Sequence, residues 1–210
     1  MHEPRTLLQL AGATPTPARI ARAVLVVIDA QGEYADGALP LDGFGPALAA
    51  VRALLAAARE AGAPVVHVAH RGRDGGLFDR GGPGGAIVPE ALPRPGEPVI
   101  EKTLPNAFAG TDLAARLRDL GRTDLVLAGF MTHNCVSATA RAALDLGYRV
   151  TVAGDATATR ALPDPLGGPP LPAEAVQRAA LAALADRTAV VAPAREIVAP
   201  APEILGADAR

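Results

Sequence analysis

The chain has 210 residues, half of them hydrophobic and 20% charged, with a formal net charge of -2 and one cysteine. That balance suits a single soluble domain with a sizeable core and excludes a disordered chain; it gives no reason to expect nucleic acid or an anionic membrane as partner, and no apolar run is long enough for a spanning helix. Met1 to Arg22 lacks the apolar core of a secretory leader and a lone cysteine cannot close an internal disulfide, so a reducing cytoplasm is the expected setting.

Residues 1–21 read as an N-terminal arm, extended around Thr14-Pro15-Thr16-Pro17, ahead of a single domain over 22–210. A first strand is predicted at Val24 to Ile28, apolar throughout as for a strand covered on both faces. It runs out into Asp29-Ala30-Gln31-Gly32-Glu33-Tyr34. A helix of about Pro46 to Glu60 follows, with Leu48, Val51, Leu54 and Leu55 inward and Gly62 as its stop. Val65 to Val68 is the second strand, leading into His70. From Arg73 to Pro98 the chain is rich in Gly and Pro, with one short helical turn near Val88 to Leu92; so long an irregular stretch is expected to cover a site or meet another subunit.

Val99 to Lys102 is the third strand, and a helix capped by Thr111 runs through Leu113, Leu117 and Leu120 to Gly121. The fourth strand, Leu125 to Ala128, leads through a tight polar turn into a helix whose first residue is Cys135. Thr132 or Asn134 is its expected N-cap, Val136, Ala140, Ala143 and Leu144 its inner face, and Gly147 its stop. Val150 to Ala153 is a fifth strand, a helix spans Ala173 to about Ala185, and Ala189 to Val191 is a sixth strand before a Pro-broken tail. Neither repeats nor a domain-parting linker is visible.

Strands alternating with amphipathic helices predict an α/β fold: a three-layer α/β/α sandwich on a doubly wound, mainly parallel six-stranded sheet of order 3-2-1-4-5-6. Right-handed crossovers place every strand's carboxyl end on one edge. Asp29 after strand one and Cys135 after strand four then face each other across the switch-point crevice, with Lys102 opening onto the same edge. Lys102 is the only lysine in a chain whose Lys and Arg total 20. An ammonium is a compact charge that shifts on burial, whereas a guanidinium is planar and stays charged.

A thiol at a helix start beside an ammonium is expected to favour its thiolate. Asp29 can take the thiol proton and return it to a leaving amine, and N–H groups of the turn can bind the oxyanion. Its own pKa has two opposing influences, burial and Lys102, and sequence does not decide between them. The residues also admit plainer readings: Cys135 as a small buried hydrophobe, Asp29 as a turn cap, Lys102 as a solvated charge. No G-x-G-x-x-G follows strand one and no G-x-x-x-x-G-K-[ST] occurs, which sets nucleotide binding aside.

Asp29-x-Gln31-x-x-Tyr34, Lys102 with Asn106-Ala107-Phe108, and Gly129-Phe130-Met131-Thr132-His133-Asn134-Cys135-Val136 resemble the motifs of the isochorismatase-like cysteine hydrolases. Ala142 with Gly147-Tyr148-x-Val150 and Asp155-Ala156 fit as well, so the resemblance runs from Val24 to Val191. It implies a catalytic triad of Asp29, Lys102 and Cys135, a cis peptide at Phe130–Met131, and an oxyanion hole from the backbone N–H groups of Met131 and Cys135. It also implies pocket residues at Gln31, Tyr34 and Phe108, with Phe130 and Thr132 of the turn beside them. A homo-oligomer, dimer or tetramer, is implied too.

A cysteine at this position favours C–N hydrolysis over cleavage of a vinyl ether. No histidine lies between Glu3 and Val66, so the metal site of nicotinamidases is not expected; neither metal nor cofactor is assigned. The motif looks closer to the metal-independent amidohydrolase branch, including streptothricin-hydrolase-like enzymes, acting on a small-molecule amide, lactam or carbamoyl compound. Nicotinamide deamidation and a thiol-based redox sensor remain as alternatives. His67 and His70, three apart on a strand, point to opposite faces and make poor joint ligands. His70, at the active edge, is a candidate substrate contact; His67 reads as a core or interface residue, His133 as a helix-start residue, a subunit contact or a pocket wall, and Asp155 as a structural tie.

Overall fold

The computed structural model describes residues 3–199; the first two residues of the arm and the end of the tail lie outside them. Six parallel strands form one sheet, β3-β2-β1-β4-β5-β6. They are β1 Val24–Ile28, β2 Val65–His70, β3 Val99–Lys102, β4 Asp124–Phe130, β5 Arg149–Ala158 and β6 Val190–Ala192. The helices are α1 Leu7–Leu10, α2 Phe44–Glu60, α3 Leu113–Asp119, α4 Ser137–Asp145, α5 Ala173–Arg187 and α6 Ala194–Val198. No helix among the described residues is long and apolar enough to cross a membrane.

The central strands are apolar on both faces because each face has its own core. Leu25 and Val27 of β1 with Val126, Ala128 and Phe130 of β4 join Leu48, Val51, Leu54 and Leu55 of α2 and Ile197 of α6. The alternate residues, Val24, Val26, Ile28, Leu125 and Leu127, join Leu113 and Leu117 of α3, Ala140 and Ala143 of α4 and Leu184 of α5. This period-two partition is what a sheet between two helical layers requires. It also fixes register: Val24 pairs with Leu125 and Ile28 with Gly129.

Gly129 shows how tightly β1 and β4 meet. Its φ is +116°, and a Cβ there would stand 1.9 Å from the Ile28 carbonyl oxygen. Only glycine fits.

Several boundaries depart from the expected ones. β2 continues to His70, whose N–H donates to Gln31 Oε1 at 2.8 Å. β5 continues past Gly154-Asp155 to Ala158, because pairing with β4 slips and resumes at Gly129–Thr157 and Phe130–Ala158. Asp155 in the slipped segment accepts the Ala194 N–H at 2.7 Å, a structural tie to α6. The cap of α3 is Asp112 rather than Thr111, whose hydroxyl donates to Ala107 O and accepts Leu113 N–H. β6 lies one residue later than expected. In the arm, α1 carries a capping box: Thr6 Oγ1 accepts Gln9 N–H and Gln9 Oε1 accepts Thr6 N–H. Thr6-x-x-Gln9 is a readable signature that the extended reading passed over.

Candidate active site

Three strand ends meet at the β1–β4 switch point. Asp29 follows β1 at φ 50° with its side chain fully buried. Lys102 ends β3, and its Nζ lies 2.7 Å from Asp29 Oδ2, both side chains withdrawn from solvent. The same Nζ donates to Cys135 Sγ at 3.3 Å. A further neighbour at 3.3 Å is His70 Nδ1, which accepts a third ammonium proton. The ammonium stands among one ion-pair partner, Asp29, and two hydrogen-bond partners, Cys135 and His70. Asp29, Lys102 and Cys135 thus come together as expected.

The segment carrying the sulfur differs from expectation. After the cis Phe130–Met131 peptide the chain makes a π-helical turn, Thr132–Val136, that runs directly into α4. Cys135 sits inside this wide turn, not at the first residue of an α-helix, and neither Thr132 nor Asn134 caps it. The Thr132 hydroxyl is spent instead on Ala158 O at 3.0 Å. Val136 and Asn134 both donate to Met131 O. The Met131 N–H itself donates to no backbone carbonyl among the described residues. Single π turns of this kind recur at functional sites.

Electrostatics reverse one expectation. Burial, and then the charge of Asp29, push the Cys135 thiol up to about 12, with Lys102 opposing. The expected bias toward thiolate rested on the helix end and the ammonium; nearly complete burial (4% exposed) outweighs both. The Asp29 carboxyl is likewise raised, by burial first, against the pull of Lys102, which settles the direction that sequence left open. Both Asp29 carboxyl oxygens are buried without a hydrogen-bond partner among the described residues, Oδ2 having only its ion-pair contact with Lys102. The resting site therefore holds a thiol beside a carboxyl that binds protons more readily than usual.

The expected pocket residues divide. His70 is half-buried, and its ring stands edge-on to Phe78 at 5.2 Å. Burial, then the charge of Lys102, lowers its pKa, so it sits there as neutral imidazole. Tyr34 is buried between Phe78 and Phe130, its hydroxyl proton held by burial and by Asp29. Gln31 is not a pocket wall: its amide is spent on His70 O, Gly85 O and His70 N–H. Phe130 is fully buried against Tyr34 and Phe44, a core residue beneath the turn. Thr132 is fully buried as well. Phe108 stacks on Tyr148, which immediately precedes β5 at the opposite edge of the sheet. These four were expected to line the pocket, and their polar groups or rings have other occupations.

Sequence reasoning missed Glu33 and Phe78. Glu33 is a buried carboxylate that accepts Ala38 N–H at 2.6 Å and Phe78 N–H at 3.3 Å. With Gly32 N–H to Ala86 O and Glu33 N–H to Gly84 O, it draws the Gly-rich stretch over the site. Phe78, at φ 57°, is thereby set against His70 and Tyr34. Glu33 lies in a short turn, Gly32–Tyr34, five residues beyond β1, and no pattern in the sequence marks it. A surface cavity of about 810 Å³ is remote from this chemistry, lined by Arg59, Val65, Glu97 and Arg116 at the amino edge.

His67 and His70 do not converge. His67 Nε2 meets Glu97 at 2.9 Å, and Arg59 holds the same carboxylate at 2.8 Å. Among the described residues no three His, Cys, Asp or Glu side chains form a metal-binding group. His133 Nδ1 pairs with Thr159 Oγ1.

A family model described as the Isochorismatase domain matches residues 23–196. The secreted isochorismatase effector Isc1 of Verticillium dahliae is 41% identical over 153 residues, which cover 72% of this chain and 80% of that protein. A streptothricin hydrolase of Streptomyces noursei is 39% identical over 168 residues, 80% of this chain and 61% of that protein. The crystal structure of an isochorismatase from Pseudomonas putida KT2440 matches with a TM-score of 0.89 at 45% identity, covering 93% of this chain and all of that one. With the order and parallel pairing of its six strands, this chain belongs to the isochorismatase-like hydrolase family.

Proposed function

We propose that the protein is a cysteine hydrolase that cleaves a C–N bond of a small molecule through a thioester. The observation that carries this reading is the placement of Lys102 Nζ, 2.7 Å from Asp29 Oδ2 and 3.3 Å from Cys135 Sγ. Relatives named for the same kind of reaction support it, among them N-carbamoylsarcosine amidase of Thermoplasma acidophilum, whose structure matches at a TM-score of 0.69 and 28% identity.

In this reading Asp29 removes the Cys135 proton as sulfur attacks the carbonyl carbon, so that the high thiol pKa is overcome within the step rather than before it. The oxyanion is received by the backbone N–H groups of Met131 and Cys135. Asp29 returns the proton to nitrogen, the C–N bond breaks, and the amine or ammonia departs. Water, deprotonated by Asp29, then attacks the thioester; the acid leaves and sulfur regains its proton. Lys102 stabilises whichever of the two neighbours is anionic. His70, by accepting the third ammonium proton, keeps that charge aimed between them.

Intact-mass analysis over a panel of primary amides, lactams and carbamoyl compounds tests the proposal. A mass increase matching the acyl half, absent in Cys135→Ser, is expected for a substrate. Lys102→Arg should lose turnover, since a planar fork does not replace a point charge. A redox sensor would show no acyl adduct and no ammonia release.

A further inference from the structure

The turn that carries the nucleophile is wider than an ordinary helix, and its width decides which carbonyl one N–H meets. In an α-helical turn each N–H donates to the carbonyl four residues back, so the Cys135 N–H would be taken by Met131 O. Here Met131 O accepts the Asn134 N–H at 3.1 Å and the Val136 N–H at 3.2 Å, and passes over the Cys135 N–H between them. Among the described residues the Cys135 N–H donates to no carbonyl outside the Thr132–Val136 turn. The widening keeps it from the acceptor that an α turn would supply.

A wide turn of this kind is the rarer form, so something must hold it open. Its first two residues are both fastened outward, to Ala158, the last residue of β5, and to Thr159, the next one. The Thr132 hydroxyl donates to Ala158 O at 3.0 Å, and His133 Nδ1 meets Thr159 Oγ1. These anchors are themselves fixed. Ala158 pairs with Phe130 of β4, and Thr159 O accepts the Asp42 N–H at 3.0 Å. Just upstream the Gln177 amide donates to Thr157 O at 3.2 Å and to Thr157 Oγ1 at 3.0 Å. Thr132 and Thr159 are both buried, so water does not compete for either bond.

Two bonds that draw the first half of the turn toward β5 oppose the contraction that would bring the Cys135 N–H onto Met131 O. We propose that His133 and Thr159, with Thr132, form a clamp that holds the turn at this width, and that His133 is a positioning residue for the oxyanion. It acts through the backbone, by keeping the Cys135 N–H available to the oxygen on the carbon that sulfur attacks. This rests on the cysteine hydrolase reading above and adds a part that the triad does not supply. Loss of the clamp is felt where an oxygen must be held, and not where sulfur displaces a leaving group from a saturated carbon.

Two probes of the same sulfur separate these cases. Acetaldehyde adds to the thiol: the S–C bond forms, the thiol proton passes to oxygen, and the hemithioacetal oxygen lies where the oxyanion of an amide would. Iodoacetamide alkylates the thiol by displacing iodide and forms no such oxygen. In the full-length protein, Thr159→Val and His133→Leu should each weaken the acetaldehyde adduct, followed by carbon-13 NMR, on the order of tenfold or more and leave the alkylation rate unchanged. His133→Asn, whose amide reaches as far as Nδ1, should keep most of the adduct. Crystal structures of the Thr159→Val and His133→Leu proteins should show the Cys135 N–H on Met131 O. A turn that keeps its width in both variants overturns the proposal, as does an adduct that neither weakens, alkylation that falls as far as the adduct does, a His133→Asn protein no better than His133→Leu, or a wild-type protein that forms no adduct. Amide turnover is scored separately. A clamp-dependent adduct without cleavage of any amide leaves the clamp standing and removes the hydrolase reading.

Discussion

Lys102 Nζ and Asp29 Oδ2 form an ion pair of 2.7 Å in which neither side chain retains any solvent exposure. Such a pair costs much to desolvate, and removing one partner costs more than the pair contributes, because the other charge is left buried alone. The pair is therefore read as a feature that chemistry requires and that stability tolerates.

Lys102→Met should accordingly lower stability by about 3 kcal/mol near neutral pH. The sign of its pH dependence follows from Asp29, whose folded pKa is already above the 3.8 of the free group and loses its main opposing influence in the variant. Between those two values the folded state binds more protons than the unfolded one, so stability falls as pH rises. Urea denaturation at about pH 5 and about pH 7 checks this, with the larger deficit expected at the higher pH.

His70 gives a second expectation. If its Nδ1 serves as acceptor for the ammonium, His70→Asn, whose side-chain oxygen can take that place, should keep most of the turnover. His70→Leu should lose about tenfold or more in kcat, the scale of one charge-assisted hydrogen bond. Steady-state rates of the two variants on any substrate found by the adduct screen decide the matter.

The close approach of β1 and β4 makes Gly129→Ala severe, for two reasons that add. The new methyl would stand 1.9 Å from Ile28 O, and φ at +116° is closed to other residues. Because the contact is with backbone, relief requires separating the two central strands. A loss of several kcal/mol, on the order of 4 or more, is expected by thermal or urea denaturation.

Away from the site, the Arg59–Glu97–His67 cluster sets an acid limit. Burial raises the Glu97 carboxyl, but Arg59, the Arg94 N–H and His67 together bring it from 4.5 to about 2. A carboxylate depressed on folding contributes stability above its unfolded pKa and loses it as pH falls toward the folded one. Buried His67 is lowered as well, chiefly by desolvation, so acid works in the same direction below its usual 6.5. Melting temperatures should drop as pH falls from about 4.5 toward about 2, and Glu97→Gln should flatten that part of the curve.

Asp29, Lys102 and Cys135 were legible because their positions are fixed by topology. Each follows or ends a strand of a parallel sheet, and such a sheet gathers all its carboxyl ends on one edge. Gln31, Phe130 and Thr132 were misplaced for a different reason. Motif position says that a residue is near the site, while hydrogen bonding to His70, packing on Phe44 and a hydroxyl bond to Ala158 O determine which way it serves. The ionisation of Cys135 was misjudged because a local dipole and a neighbouring charge can be read from spacing, whereas burial is a property of the assembled fold. Glu33 and Phe78 lie in segments without periodicity, and nothing short of the folded backbone sets them beside His70 and Tyr34.

The bonds that Gln31 and Glu33 make to the segment around Phe78 carry a consequence for what can enter. A roof fastened at His70, Phe78, Gly84 and Gly85 through two buried side chains and one backbone amide does not swing on a hinge. With Cys135 only 4% exposed, the sulfur is out of reach of a folded polypeptide. Selection by size precedes selection by chemistry.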